Sequence, residues 1–444
     1  MRTVELQEIG EIIRKIRKRR GLRLEDLADD NISVATISNI ERSVPHVSME
    51  KALYLLDKLN IETSQIPYLL TQEEKEMRRI QLELETVESL WKLKRYEKAV
   101  NKIEDLDLDD AHPFAATAAY LKGKCLIDKG KTKQAERSLY NAIKLANQNP
   151  YNNSTNVEAA SFCELAIIAY VQNDLDGALQ FVNSAWGAFQ KDGDRQYIRF
   201  IIHVNKAIYL EKLGRINEGM RVIEAIWDSL YEIDEVETLL TFYWLRNEFM
   251  RRTGAFEDAV EYIHKGLPLA VRNNQYKFIF EFWTQLGCIY TSLDEKEKAE
   301  SCFDTALNVN ELLPDPKVAS TTYTKLGTLY MQQNKLAEAK ETINQAINIS
   351  DKYNDVPRLT YALMLMGDLL KNRKEDQDAI TYYQRSLELS QKHHLKYREY
   401  KLLLKLAQCW HQLNEQEFQK CIRNMYEVKV ELINKEGDIF EEQD

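Results

Sequence analysis

The run Leu286-Gly287-Cys288-Ile289-Tyr290 returns 40 residues later as Leu326-Gly327-Thr328-Leu329-Tyr330. Around it, Lys298-Ala299-Glu300 returns as Glu338-Ala339-Lys340, and Ala306-Leu307-Asn308 as Ala346-Ile347-Asn348. A fixed period of this length marks stacked copies of one small unit, each too small to bury its own apolar face. The register extends in both directions. A small or compact residue recurs as Gly123, Ala166, Ala207, Asn247, Gly287, Gly327, Gly367 and Ala407. Twelve residues after these come Ala135, Ala178, Gly219, Ala259, Ala299, Ala339 and Ala379, and the pattern then fails at Gln419; Ala99 marks one earlier unit. Each unit reads as two amphipathic helices, with small residues where the helix backbones come close. About nine units are expected.

Period 40 also occurs among HEAT and armadillo repeats. The Leu-Gly-x-x-Tyr signature, with Ala twelve residues after the Gly and Ala or Gly seven further on, resembles the tetratricopeptide repeat, whose usual length is ~34 residues. That resemblance implies an all-α chain whose residues 71–436 wind into a right-handed superhelix.

Composition agrees with a helical protein. Of 444 residues 44% are hydrophobic and 29% charged, and Gly (15) and Pro (8) are scarce. No apolar run approaches the ~18 residues of a membrane span, and the N-terminus enters a charged helix at once. A cytoplasmic protein without membrane attachment is expected. The six cysteines are scattered without a Cys-x-x-Cys and read as small buried hydrophobes. Net charge is −10, and basic and acidic residues balance over 1–70, so the acidic excess lies in the repeats. No Gly-rich phosphate loop, metal-ligand spacing or catalytic grouping appears. No enzyme, metal or cofactor is expected, and His393-His394 reads as a surface pair.

At the N-terminus, Leu6, Ile9, Ile12, Ile13 and Ile16 give a helical stripe over 5–20, ended by Gly21. A short second helix holds Leu24, Leu27 and Ala28. Ser33 is placed to cap a third over Val34 to Arg42, because its hydroxyl accepts from a free first-turn amide. A fourth is expected from about Ser48 to Leu59, with Ala52, Leu53, Leu55, Leu56 and Leu59 inward, and a short fifth over 62–69. Two short helices joined by a tight turn inside such a bundle suggest a helix-turn-helix.

The pieces Ile9-Gly10, Ile13-Arg14-x-Ile16-Arg17, Gly21-Leu22, Leu27-Ala28 and Ile32-Ser33-x-x-Thr36-Ile37-Ser38-x-Ile40-Glu41-Arg42 resemble the lambda-repressor-like (XRE) class. Arg23-Leu24 and Ser43 depart from its usual residues, and the turn is one residue short. The resemblance implies a double-stranded DNA partner. Arg14, Lys18, Arg19, Arg20, Arg23 and Arg42 are expected on phosphates, which position a protein without reading sequence. Val34, Ala35, Thr36, Ser38 and Asn39 are expected at base edges, where Asn suits adenine and methyl groups suit thymine. In this class the residue matching Arg17 pairs with the Glu matching Glu41, so an internal ion pair is implied there. One head buries little surface, so a homodimer reading two half-sites is expected.

Thr71-x-x-Glu74 fits a capping box, so a new helix is expected from Gln72, after a hinge over 60–71 containing Pro67. The expected domains are therefore a DNA-binding head over 1–70, repeats over 71–436 and an acidic tail over 437–444.

In tetratricopeptide repeats, positions 2, 5, 9 and 12 of each first helix, and sometimes 6, line the concave wall, counting the small marker as position 8. Here they include Asn205, Trp244, Glu248, Arg251, Glu281, Gln285, Thr324, Lys325, Tyr361 and Asp368. Such a mixture of amides, acids and aromatics suits an extended peptide. An XRE-like head followed by such repeats resembles the cytoplasmic peptide-pheromone receptors of Gram-positive bacteria (the Rap, Rgg, NprR and PlcR group). The length is most like NprR. The resemblance implies a homodimeric regulator whose groove takes a short signalling peptide, with Asn205 first in line for its backbone. The alternatives are an adaptor that sequesters a partner protein such as a response regulator, and a phage or mobile-element regulator of the same build.

Overall fold

The computed structural model describes residues 6–42, 44, 48–62, 65–148, 154–313, 315–411 and 413–436. The acidic tail over 437–444 and Ser43 lie outside them. Among the described residues there is no strand, only one isolated bridge between Asp29 and Ile32. No helix among them is long and apolar enough to cross a membrane. The chain divides into two compact units, Met1–Gln196 and Tyr197–Asp444.

The first unit opens with α1 (Leu6–Arg19), α2 (Leu24–Leu27), α3 (Val34–Glu41) and α4 (Met49–Lys58). Ile9, Ile12, Ile13, Leu27, Ile32, Ile37, Ile40, Ala52, Leu55, Leu56 and Leu59 form one buried core. Leu53, expected inward, is 38% exposed, because the inward stripe of α4 runs through Ala52, Leu55 and Leu56 instead. Gly21 ends α1 with φ of +65°, a conformation that costs glycine nothing. The Thr36 amide donates to the Ser33 hydroxyl at 3.2 Å, capping α3.

The junction differs from expectation. A single helix, α5, runs from Ile66 to Lys92 over 27 residues, roughly 40 Å. It absorbs both the expected fifth helix and the expected start at Gln72. Thr71 and Glu74 sit inside it, so the capping-box pattern marks no helix start and 66–71 is no hinge. The helix continues because its apolar residues serve both neighbours. Ile66 and Leu69 pack on the head core, while Ile80, Leu84 and Val87 are buried further along. The unit is completed by α6 (Tyr96–Asp105), α7 (Ala115–Asp128), α8 (Thr132–Gln148), α9 (Val157–Val171) and α10 (Leu175–Ala188).

The second unit holds six helix pairs. They are α11 (Ile198–Lys212) with α12 (Ile216–Glu224), α13 (Val236–Thr253) with α14 (Phe256–Arg272), and α15 (Tyr276–Ser292) with α16 (Lys296–Asn308). Then come α17 (Ala319–Gln332) with α18 (Leu336–Lys352), α19 (Val356–Asn372) with α20 (Asp376–Lys392), and α21 (Lys396–Trp410) with α22 (Glu415–Glu436). With the three pairs α5/α6, α7/α8 and α9/α10, nine repeats are present among the described residues. The 40-residue period governs the turns as well. Gly214, Gly254, Asp294, Asn334 and Lys374 all have positive φ, as do Asn274, Asn354 and His394. His394 is thus a left-handed turn residue at a helix end.

The small markers admit a large side chain from the paired helix. A methyl group added to Gly287 would lie 2.5 Å from the Phe303 ring, and one on Gly327 2.7 Å from Ile343. Both partners are fully buried, so neither can step aside freely. Gly287→Ala is therefore expected to cost about 1–3 kcal/mol through overpacking. The control is Gly187→Ala, on α10, where nothing lies within 4 Å. There the helical preference for Ala should stabilise by up to about 1 kcal/mol. Urea unfolding of the two variants checks both signs.

Candidate functional site

Within the head, the side chains of α3 divide into two groups. Ala35 is exposed, and Val34 and Asn39 are half-buried at the surface. Thr36 shares its hydroxyl with Ser33 at 2.9 Å, and the Ser38 hydroxyl accepts from Arg42 Nη2 at 2.8 Å. Arg42 thus lies along α3. Arg17 donates through Nε and Nη2 to the two oxygens of Glu41 at 2.6 and 2.7 Å, and through Nη1 to the Leu22 carbonyl at 2.8 Å. The Glu41 carboxylate fixes the Arg17 guanidinium in its charged form and raises its pKa. Asp29 organises the turn before α3. Its Oδ1 accepts from the Asn31 and Ile32 amides, and its Oδ2 from Lys58 Nζ at 2.6 Å and the Tyr54 hydroxyl at 2.7 Å. These donors hold its carboxyl far below the ordinary range. The short turn is therefore closed by its own backbone, through the paired Asp29 and Ile32 amides and carbonyls, and clamped from outside by the Lys58 and Tyr54 side chains.

The basic cluster also divides. Arg19, Arg20 and Arg23 are exposed. Arg14 and Lys18 instead face the loop between α6 and α7. Arg14 Nη2 donates to Asp109 Oδ1 at 2.9 Å and its Nη1 to the Ala111 carbonyl at 3.2 Å, while Lys18 Nζ donates to Asp109 Oδ2 at 2.9 Å. Lys15 pairs with Glu76 of α5 at 2.9 Å. Burial raises the Asp109 carboxyl, but Lys18 and the Ala111 amide outweigh it and hold the group ionised. Arg14 and Lys18, expected on phosphates, thus share one carboxylate from over 90 residues away in sequence, which offsets half of their combined charge.

The expected wall residues from Asn205 to Asp368 all lie on first helices of the second unit. Asn205 on α11 and Gln285 on α15 are buried, and each retains a side-chain atom without a hydrogen-bond partner, Nδ2 and Oε1 respectively. The other end of Gln285 donates to the Trp244 carbonyl at 3.1 Å. Glu248 accepts from Arg251 at 2.7 and 3.0 Å and from Arg252 at 2.8 Å, and Arg252 also reaches Glu211. Burial pushes the Glu248 carboxyl up, yet these guanidiniums keep it below the usual carboxylate range. Burial leaves the Glu281 carboxyl raised. Asp368, expected to meet a guest, accepts from the Tyr383 hydroxyl at 2.6 Å and Lys405 at 2.7 Å. Thr324 is buried and donates to the Thr321 carbonyl at 2.8 Å, and Lys325 is half-buried.

Thr324 and Tyr361 meet in a pocket of about 540 Å³. It is lined by Ser320, Thr321 and Thr324 of α17, by Asp355, Pro357, Arg358 and Tyr361 at the start of α19, and by Arg398 of α21. Arg358 pairs with Asp355, and its Nε donates to the Thr321 hydroxyl at 3.1 Å. The Arg398 guanidinium lies over the Tyr361 ring, 4.9 Å from its centre. Both arginines escaped the sequence reading. They stand 40 residues apart, one helical turn before position 2 in successive repeats, so extending the wall stripe by one turn finds them.

Comparison with known proteins finds two kinds of family match along the chain. A helix-turn-helix family matches residues 13–66. Tetratricopeptide-repeat families match 84–150, 280–311 and 318–392. No curated protein matches the chain in sequence. Among solved structures, the apo form of the quorum sensor NprR from B. thuringiensis superimposes with a TM-score of 0.60 at 14% identity, covering 79% of this chain and 99% of that one. Apo RapI gives 0.59 at 14% identity over 81% of this chain and 99% of its own. A Rap protein complexed with competence and sporulation factor gives 0.56 at 14% over 80% and 99%. The chain is a helix-turn-helix head carried on tetratricopeptide repeats, built on the fold of NprR and the Rap proteins.

Proposed function

We propose that this protein is a transcription regulator that binds duplex DNA through its head and holds a short signalling peptide on the first helices of its second unit, the peptide altering DNA binding. The observation that carries the reading is the pair of buried amides, Asn205 and Gln285, each with an atom left without a partner. Both occupy position 6, two repeats apart. A buried polar atom without a partner costs about 1–3 kcal/mol, so such a wall favours a guest that brings donors and acceptors. A peptide backbone offers both at every residue. Structures of the same fold support the choice, one being a quorum sensor and another a Rap protein in complex with competence and sporulation factor. The head acts in a cytoplasmic homodimer, reading two half-sites through the exposed side of α3.

Two measurements test this. Selection from a random duplex pool by the full chain should enrich a two-half-site consensus containing A·T pairs, and Asn39→Ala should relax one position by about 1–3 kcal/mol. Affinity selection from a synthetic heptapeptide library should retain peptides, and Asn205→Ala with Gln285→Ala should lower that retention at least roughly tenfold. A duplex pool that stays random, or a library that yields no ligand, contradicts the corresponding half of the reading.

A further inference from the structure

We propose that the pocket at the N-terminal ends of α17, α19 and α21 is a carboxylate subsite, in which Arg398 receives a carboxylate of the bound peptide beside the Arg358–Asp355 pair. This rests on the peptide reading above and names the chemistry of one part of that site.

The argument begins with an imbalance of charge. Of the two guanidiniums in the pocket, Arg358 is neutralised by Asp355 and fixed by the Thr321 hydroxyl. Arg398 has no such partner among the described residues. Its Nη1 is buried and makes no hydrogen bond among the described residues, and the guanidinium rests on the Tyr361 ring. The neighbouring acid on α21, Glu399, is engaged elsewhere, accepting from Gln391 at 3.1 Å and lying 3.4 Å from Lys396. Among its lining residues the pocket therefore holds one guanidinium without a carboxylate partner, while Glu281 of α15 acts on Arg358 from outside the lining. A partly buried cation left in this state is costly unless an anion meets it.

The backbone adds to this field. The lining residues come from the N-cap and first two turns of three successive first helices, whose dipoles favour negative charge at this end. Asp355 already caps α19 by accepting from the Arg358 amide at 3.2 Å, so a second anion is directed toward Arg398. The planar fork of a guanidinium fits a carboxylate through two parallel hydrogen bonds. Tyr361 beneath it, itself 40% exposed, supplies a flat surface that fixes the plane of the fork. The pocket volume of about 540 Å³ admits a terminal residue or an acidic side chain. Both sources share the carboxylate, and the experiment separates them.

A random heptapeptide library is made once as free acids and once as C-terminal amides, and each is passed over the full-length protein with mass-spectrometric readout. Retention from the free acids alone supports capture of the terminal carboxylate. Retention from both, with Asp or Glu fixed at one position, supports a side-chain carboxylate. Retention from both with no fixed acid overturns the proposal and leaves peptide binding standing. Arg398→Gln should lower retention roughly 10- to 100-fold, the loss of a charge-assisted pair. Arg398→Lys keeps the charge and loses the fork, and should fall in between. Unchanged retention in Arg398→Gln overturns the proposal. Thermal unfolding of both variants is recorded alongside. If Arg398→Gln melts early, Arg398→Lys supplies the deciding comparison, with full retention counting against the subsite. Absence of any ligand in both libraries removes the peptide reading and this inference with it.

Discussion

Glu41→Ala is expected to unfold the head while leaving the repeats helical. Among the described residues, Glu41 and Arg17 are the most enclosed ion pair of the head, with side chains 5% and 11% exposed. The pair joins the end of α3 to α1, and the same guanidinium ties down the Leu22 carbonyl after the α1 turn. Removing the acid strands a buried cation, which typically costs about 3–5 kcal/mol. The head core is small, so a loss of this size approaches its whole stability. Hydrogen exchange should show protection lost over α1 to α4 and retained in the second unit, with duplex binding abolished. Glu41→Gln, which keeps one acceptor, should lose less. Full protection of the head in Glu41→Ala would show that the pair contributes little.

Asp109→Ala is expected to strengthen nonspecific DNA binding. Asp109 holds both Arg14 and Lys18, at 2.9 Å each, and they belong to the same basic stretch as exposed Arg19 and Arg20. Each basic group newly free to meet a phosphate steepens the salt dependence by about 0.9 in log–log slope. Two such groups predict a slope steeper by about 1.8, and tighter binding by roughly tenfold or more near 50 mM salt. Fluorescence anisotropy of a labelled nonspecific duplex across a salt series measures both. An unchanged slope would mean that Arg14 and Lys18 do not meet phosphate even when released. Acid should mimic the variant only well below neutrality. The folded Asp109 pKa is depressed, so its ion pairs persist above the ordinary carboxylate range and weaken as pH falls through the lowered value.

Periodic features were legible in the sequence, and contacts between distant segments were not. Gly287 and Gly327 announced close helix approach through spacing alone, and the structure seats Phe303 and Ile343 against them. The head was legible for the same reason, since Ile9, Ile13, Ile37 and Ile40 repeat at helical intervals. Thr71-x-x-Glu74 misled because a capping pattern is local, whereas the continuity of α5 is decided by packing at both its ends. Nothing near Arg14 or Lys18 in sequence points to Asp109. Likewise Asp368 has the right register for a wall residue, yet Lys405, one repeat later, takes its charge. Arg358 and Arg398 were within reach, since they obey the period. The wall positions were counted from the helix interior and stopped one turn short.

The central claim is coupling between a peptide on the repeats and DNA on the head. The direct test is a reciprocal titration: the selected peptide into the full-length protein with and without its selected duplex, and the duplex with and without the peptide. Coupling through one protein requires the two factors to be equal, and values of about 5- to 150-fold are usual. Equal factors above that lower bound are the predicted result. A peptide that binds tightly while duplex affinity stays the same in both directions would contradict the account.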